Sequence, residues 1–547
     1  MSDDRASSRI PARRTARLVA LAAFLLFAFT GGGRISGSDE VTMFELSRAM
    51  LHGGIAVPEG ATLAGPDGKF YSKNTAGQAV LALPLVAVGE AASKAAGFRE
   101  SKAVLASRFV ASFLNAIVTA VLLGAFYAFA RRLGVRTREA LAATAMLGFT
   151  TPLWVYSKSF MAEPLEALGL LLTLGNAALA GAGGPQKLHD ENRRTWFAAL
   201  GAFLAVSAKA SMLPLVLLSL GALGFKRWQR WLVPMLGVAA AIGGHLFYNF
   251  ARFHDVLQSG YGAQQSASAF STPLLVGLYG LLLSSGKGVL WFAPATWLAF
   301  AGFAEMTRSR QHSKEPRHGW PARRAAAAAI ATWVLALVQF GTFQHWGGDG
   351  SWGPRYLVPL LPSAFLAVAF ALETATRARK RLAWALGLAG LVATLGGVGI
   401  HYGAEMRKVG DYPYTLPLEH PHFMEASHFN PRFSPLLVHW EMIGENFAAH
   451  VKGEMPRIGA DSAEPAAADS LHGAGGAGTR NLTPSRLGIS EKDQNALLGA
   501  FDVWWMYARY AGIPSLPLNL AAVALLVASV WGCAAVFDSA ARERTEA

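Results

Sequence analysis

The stretch Val104–Arg132, VLASRFVASFLNAIVTAVLLGAFYAFARR, decides the fold class. From Phe109 to Ala130 no side chain is charged, and the run ends on the pair Arg131 and Arg132. About 20 such residues in a helix cross the hydrocarbon core of a bilayer with every backbone group paired internally, and lipid offers no other partner to those groups. The run therefore reads as a transmembrane helix, and its basic end marks the side on which it stops. The whole chain agrees: of 547 residues 52% are hydrophobic and 15% charged, and the mean hydropathy is +0.31, too apolar for a soluble protein of this length.

Working outward, further spans are expected near 16–32, 138–157, 162–182, 229–251, 286–304, 325–344, 355–373, 382–402 and 515–537. The stretch 196–225 is interrupted at Lys209 and Pro214 and reads as a short helical hairpin. The segment 77–97 is semi-apolar and is expected to lie along the membrane surface or dip into it. Together these give an all-α polytopic membrane protein with about 12 transmembrane helices. The first run, Leu18–Phe29, follows arginines and competes with a cleaved signal peptide, but no small-x-small cleavage site comes after it.

Orientation follows from the basic loops, which are retained on the cytoplasmic side. Arg5, Arg9, Arg13, Arg14 and Arg17 precede the first span. Arg131 to Arg138, Lys226 to Arg230, the loop 305–324 and Arg377 to Arg381 follow. All fall on one side, which puts both termini in the cytoplasm and explains the net charge of +14 without nucleic acid. Segments 33–103, 151–161, 252–273, 345–354 and 403–514 then face outward. The last reads as loop-rich, with its Ala/Gly/Ser/Asp/Glu-biased part 461–479 expected to be disordered. The chain so divides into a module 1–402, an outer segment 403–514 and a final helix with its tail, 515–547. The single cysteine, Cys533, excludes an intramolecular disulfide and a cysteine-built metal site.

Two carboxylates, Asp39 and Glu40, stand together just outside the first span in Gly37-Ser38-Asp39-Glu40. Capping of the helix that follows is the plain use of such residues. Placed at the mouth of a membrane cavity, a carboxylate also serves as a general base toward a hydroxyl. Glu163, before Pro164 at the outer end of another span, suits the positive end of a helix dipole and offers a second acid from a different loop. Cations recur on the same face: Lys73 in Phe70-Tyr71-Ser72-Lys73-Asn74, Arg252 in Tyr248-Asn249-Phe250-Ala251-Arg252, Lys287 in Ser284-Ser285-Gly286-Lys287-Gly288, and Arg355 after Gly353-Pro354. Four of them at the outer rim invite an anion, for which phosphate is the natural candidate.

Other motifs fail. Gly280 to Gly288 has the wrong spacing and lacks the terminal hydroxyl of a Walker A loop. His420, His422 and His428 with Glu419 and Glu425 match no standard metal spacing, so no metal is expected. Asn481-Leu482-Thr483 is a formal sequon and says nothing about its use.

Taken in order, Ser38-Asp39-Glu40, Tyr71-Ser72-Lys73, Tyr156-Ser157 through Glu163, Tyr248-Asn249 through Gly260-Tyr261, and Trp346-Gly347-Gly348 through Arg355-Tyr356 resemble the GT-C superfamily of integral-membrane glycosyltransferases, in particular its bacterial protein O-mannosyltransferase and aminoarabinose-transferase branch. The resemblance covers roughly the first two-thirds of the chain. It implies a GT-C-like fold in a bacterial inner (cytoplasmic) membrane and a periplasmic active site. It also implies inverting transfer of a sugar from a polyprenyl-phosphate donor to an envelope acceptor hydroxyl on a lipid, glycan or protein. By position Asp39, Glu40 and Glu163 correspond to the catalytic acids, and Lys73, Tyr71, Arg252, Tyr261, Lys287 and Arg355 to a donor-phosphate site. The lipid-linked sugar is then a co-substrate, and no cofactor or metal is called for. The Trp-Trp-Asp-Tyr-Gly motif of oligosaccharyltransferases is absent, since Asp502-Val503-Trp504-Trp505 has another order and reads as an interfacial anchor. A transporter or flippase of a lipid-linked substrate is the main competitor, but the sequence shows no related halves. A non-catalytic assembly protein working through 403–514 is the third class.

The orientation has a direct check. In a Cys533→Ala background, a cysteine at Asp67 should react in intact cells with a membrane-impermeant maleimide and one at Arg379 should not; the opposite pattern would reverse the topology.

Overall fold

The computed structural model describes residues 9–60, 62–180, 188–224, 228–262, 266–308, 320–410, 416–417, 420, 422–457 and 496–545. Helices dominate. The principal ones are α1 (Arg9–Thr30), α2 (Ser38–Leu51), α3 (Ala76–Ala95), α4 (Leu114–Arg132), α5 (Glu163–Leu179), α6 (Leu188–Ala208), α7 (Leu232–Phe253), α8 (Leu274–Leu283), α9 (Trp297–Arg308), α10 (Trp320–Gly341), α11 (Leu361–Glu373), α12 (Arg377–Gly399), α13 (Pro435–Val451) and α14 (Ser515–Thr545). The one sheet among the described residues is a two-stranded antiparallel ribbon pairing Leu63 with Tyr71 and Ala64 with Phe70.

Seven helices among the described residues are long and apolar enough to cross a membrane, including α3, which was expected to lie along the membrane surface or dip into it. Part of the difference from twelve lies in segments that the chain breaks; the expected spans 16–32 and 162–182 are unbroken helices, Arg9–Thr30 and Glu163–Leu179, outside those seven. The expected span 138–157 is two helices, Thr137–Phe149 and Leu153–Ser157. Between them Thr150 and Thr151 return their hydroxyls to the carbonyls of Met146 and Leu147, and Pro152 brings no N–H. Pro294 likewise divides 286–304 into Val289–Phe292 and α9. The break in 196–225 is at Lys209, after α6, while Pro214 stands in the first turn of the helix Leu213–Leu220, where its missing N–H costs nothing.

Helices in lipid gain little from hiding apolar surface, so close backbone contact must hold them. Small residues provide it. A Cβ on Gly277 of α8 would lie 1.8 Å from the Gly341 carbonyl of α10, and one on Gly302 of α9 would lie 1.9 Å from the Ala367 carbonyl of α11. Gly169 of α5 meets Gly201 and Ala205 of α6 in the same way. At the far end of the chain, Glu543 of α14 accepts from Tyr127 of α4 at 2.6 Å and pairs with Arg131.

The described residues of 403–514 carry helices that a loop-rich reading does not expect. Tyr402–Gly410, Phe423–Phe429, α13 and Trp504–Tyr510 are helical, and Met406, Phe423, Val438, Met442 and Tyr510 belong to a core of their own. The apolar positions were there in the sequence, but they are scattered over short helices that leave no long periodic run. Residues 461–479 and the sequon at Asn481 lie outside the described residues.

Gly302→Leu should overpack the α9–α11 contact and cost about 1–3 kcal/mol, read as a lower unfolding midpoint in detergent. Gly60→Leu, with open space around its Cβ, should leave the midpoint where it is. An unchanged midpoint for Gly302→Leu would refute the tight packing.

Candidate active site

Asp39 owes its position to its neighbour. Gly37 opens α2, and the Glu40 carboxylate reaches back to accept from the Gly37 N–H at 2.8 Å, so one unpaired donor of the helix start is satisfied. The other Glu40 oxygen accepts from the Phe160 N–H at 2.7 Å. This ties the start of α2 to the turn that leads into α5. Asn115 supports the same turn, donating to the carbonyls of Ser159 at 2.8 Å and Met161 at 2.7 Å. Asp39 is thereby aimed into a cavity of about 530 Å³.

There its carboxylate lies 3.2 Å from the Lys73 ammonium and 3.6 Å from the Arg355 guanidinium. Asn74 donates to the Asp39 carbonyl at 3.2 Å. Burial alone would push the Asp39 carboxyl up, but Lys73, Arg355 and Asn74 outweigh it and hold the group well below its ordinary range. Arg355 is shared: its Nε donates to Glu163, the first residue of α5, which is 1% exposed. One guanidinium thus links carboxylates from two loops.

The loop before Arg355 is shaped for this. Gly348 has φ +70°, and a Cβ there would come within 2.9 Å of the Arg355 side chain. Gly353 also has a positive φ, +56°. The Lys287 ammonium, 1% exposed, fastens the loop by donating to the carbonyls of Asp349 at 2.9 Å and Ser351 at 2.6 Å. His345 pairs with Asp349 at 3.3 Å; that hydrogen bond raises its pKa against the opposing effect of burial.

No family model matches the chain, and no curated protein matches it. Among solved structures it is similar to ArnT from Cupriavidus metallidurans bound to undecaprenyl phosphate, at 16% identity and a TM-score of 0.47 over 88% of this chain and 76% of that one. The apo state of the same protein gives 17% and 0.44 over the same shares. An oligosaccharyltransferase of Archaeoglobus fulgidus in the apo form gives 15% and 0.39, over 75% of this chain and 58% of that one. The likeness stays at 15–17% identity with TM-scores below 0.5. At these values it transfers no residue role, and the chemistry of the site is argued from its own side chains.

Of the residues singled out in the sequence, Asp39, Lys73, Arg252, Tyr261 and Arg355 line the cavity together. Arg252 is 2% exposed and already engaged, donating to the Ser72 carbonyl at 2.6 Å and to Asn249 at 2.7 Å. Tyr261 donates to Asn74 at 3.4 Å. Glu163 sits behind Arg355 and reaches the cavity through it. Three others lie apart from the cavity lining, and each has a structural partner instead. Glu40 is consumed by backbone N–H groups, Tyr71 donates to Asp67 at 2.7 Å, and Lys287 holds the 349–351 carbonyls. The histidines do not converge: His428 is buried against Trp346, while His422 pairs with Glu425 on the surface. No metal-ligand group forms among the described residues.

Sequence reasoning missed Lys209 and Glu166, which line the same cavity. Lys209 follows α6 with its ammonium 4.6 Å from the Tyr356 ring centre. A lysine interrupting an apolar run was the available signal, read as a chain break alone. Asp502 was also underrated. It is 4% exposed and pairs with Lys158 at 2.9 Å and with Arg34. The Trp504 backbone N–H donates to the Gly31 carbonyl at 2.7 Å, so this motif clamps the segment that follows α1.

Glu40→Ala would leave the Gly37 and Phe160 N–H groups without their acceptor, at a cost of about 1–3 kcal/mol. Its unfolding midpoint in detergent should fall, and Glu40→Gln, which keeps one acceptor oxygen but turns an NH2 donor on the other N–H, should recover only part of the loss. A midpoint unmoved by Glu40→Ala would contradict the clamp.

Proposed function

We propose that this protein is an inverting glycosyltransferase that moves a sugar from a polyprenyl-phosphate donor to an acceptor hydroxyl on the periplasmic face of a bacterial inner membrane. The observation that supports it most is the meeting of Asp39, Lys73 and Arg355 on the wall of one cavity, with Lys209 and Arg252 on the same lining. A carboxylate is at hand for a hydroxyl proton and cations for a phosphate, and membrane-spanning helices surround them.

The reaction asks two things of these side chains. The acceptor O–H gives its proton to Asp39 as its oxygen bonds the anomeric carbon from the face opposite the phosphate. The bond from that carbon to the phosphate oxygen breaks, and the electron pair leaves on the lipid phosphate. Lys73, Arg355 and Lys209 are the groups placed to neutralise that growing charge, and such preorganised stabilisation is commonly the largest contribution to catalysis. Arg252, already bonded on several sides, shapes the wall and adds its field. Glu163 fixes Arg355.

Held by two cations, Asp39 is a weak base at rest. A donor phosphate competes for Lys73 and Arg355, and as they turn toward it the carboxylate loses the partners that lowered its proton affinity. Donor binding thus readies the base, and the site stays idle without it. No metal enters this scheme.

Asp39→Asn keeps the size of the side chain and removes the base. With a polyprenyl-phosphate sugar and purified protein, kcat should fall by about 10²–10⁴-fold while the protein remains folded in detergent. Arg355→Ala should raise KM for the donor more than for the acceptor. Full transfer by Asp39→Asn would exclude it as the base.

A further inference from the structure

One part of the cavity answers to neither the phosphate nor the lipid chain. Glu166 stands one turn beyond Glu163 on α5 and lines the cavity, and it is 2% exposed. One of its carboxylate oxygens is buried and has no hydrogen-bond partner. Ser211, on the short turn Ala210–Met212 after Lys209, lines the same cavity and also has a buried, unpartnered hydroxyl. Leaving such groups unpaired costs about 1–3 kcal/mol each, more for a charged one, and no protein group supplies the partner, so both are free to meet a polar ligand in the cavity. Phe270, Phe340 and Phe343 line the cavity as well, and Phe340 stacks on Tyr356 with ring centres 4.8 Å apart.

The chemistry of this lining narrows its occupant. A carboxylate repels phosphate, and a prenyl chain has nothing to give it. A saturated ring carrying hydroxyl or ammonium groups suits both features, since its N–H or O–H groups meet Glu166 and Ser211 and its C–H face meets the aromatic rings. We propose that Glu166 and Ser211 form the subsite that selects the sugar of the lipid-linked donor, beside the cations that hold its phosphate. This deepens the transferase reading and rests on it. A site built to hydrogen-bond a substrate hydroxyl rejects the analogue lacking it by up to about 10⁴–10⁵-fold, so these two residues are placed to decide which sugar is accepted.

The test compares two lipids on the full-length protein in detergent: undecaprenyl phosphate, and the same lipid phosphate bearing a hexose. Glu166→Gln removes a negative charge facing Lys209 and Arg355, so it should bind the bare lipid phosphate at least as tightly as the unaltered protein and bind the hexose-bearing lipid on the order of 10- to 100-fold more weakly. Ser211→Ala should show the same selectivity with a smaller loss, and it decides the matter if Glu166→Gln does not fold. A mirror check uses a deoxyhexose donor, which the unaltered protein should discriminate against more strongly than Glu166→Gln does. If both variants bind both lipids as the unaltered protein does, the subsite is wrong and the transferase reading stands. If the unaltered protein binds neither lipid, both fall.

Discussion

Arg355 is one guanidinium shared between two carboxylates that reach it from different loops. Asp39 comes from the start of α2 and Glu163 from the start of α5, and the lysine beside Asp39 comes from the residues after the β-ribbon. Charges withdrawn from water need partners of opposite sign at close range. The site is therefore self-neutralised, and an anion that enters can displace a carboxylate rather than meet bare cations. In the proposed reaction, the tension between a base that must accept a proton and cations that oppose it is resolved by a substrate that draws the cations off.

Much of the surrounding structure serves to keep that arrangement in register. Glu40 binds α2 to the Phe160 turn, Asn115 holds the same turn from α4, and Lys287 fastens the 349–351 loop before Arg355. Asp502 joins Arg34 and Lys158 from the far side of the outer segment. The helices behind these loops meet through glycine and alanine, which fixes backbone distances closely, as at Gly302 against Ala367. Close packing below fixes the backbone around the cavity, and the paired charges above line it.

The membrane class was legible because a stretch like Phe109 to Ala130 admits one solution in lipid. The number of spans was less so, since hydropathy does not register a break such as Thr150-Thr151-Pro152 or Pro294, where side chains or missing N–H groups end the helix. In the site, Asp39, Lys73 and Arg355 were readable from charged residues placed beside spans, where charge needs a reason. Glu40, Tyr71 and Lys287 carry the same signal, yet each is satisfied by backbone or by a near neighbour, and sequence spacing cannot tell a clamp from a ligand. Lys209 and Glu166 were hidden in apolar surroundings, where one charge looks like an interruption. Only the folded arrangement brings α5, the turn after α6 and the 345–355 loop to one cavity.

The most direct measurement is a structure of the full-length protein with undecaprenyl phosphate. The phosphate is expected inside the cavity, within hydrogen-bond distance of Lys73 and Arg355, with Asp39 released from at least one of them. Phosphate bound elsewhere, with the Asp39–Lys73 and Arg355–Glu163 pairs intact, would contradict it.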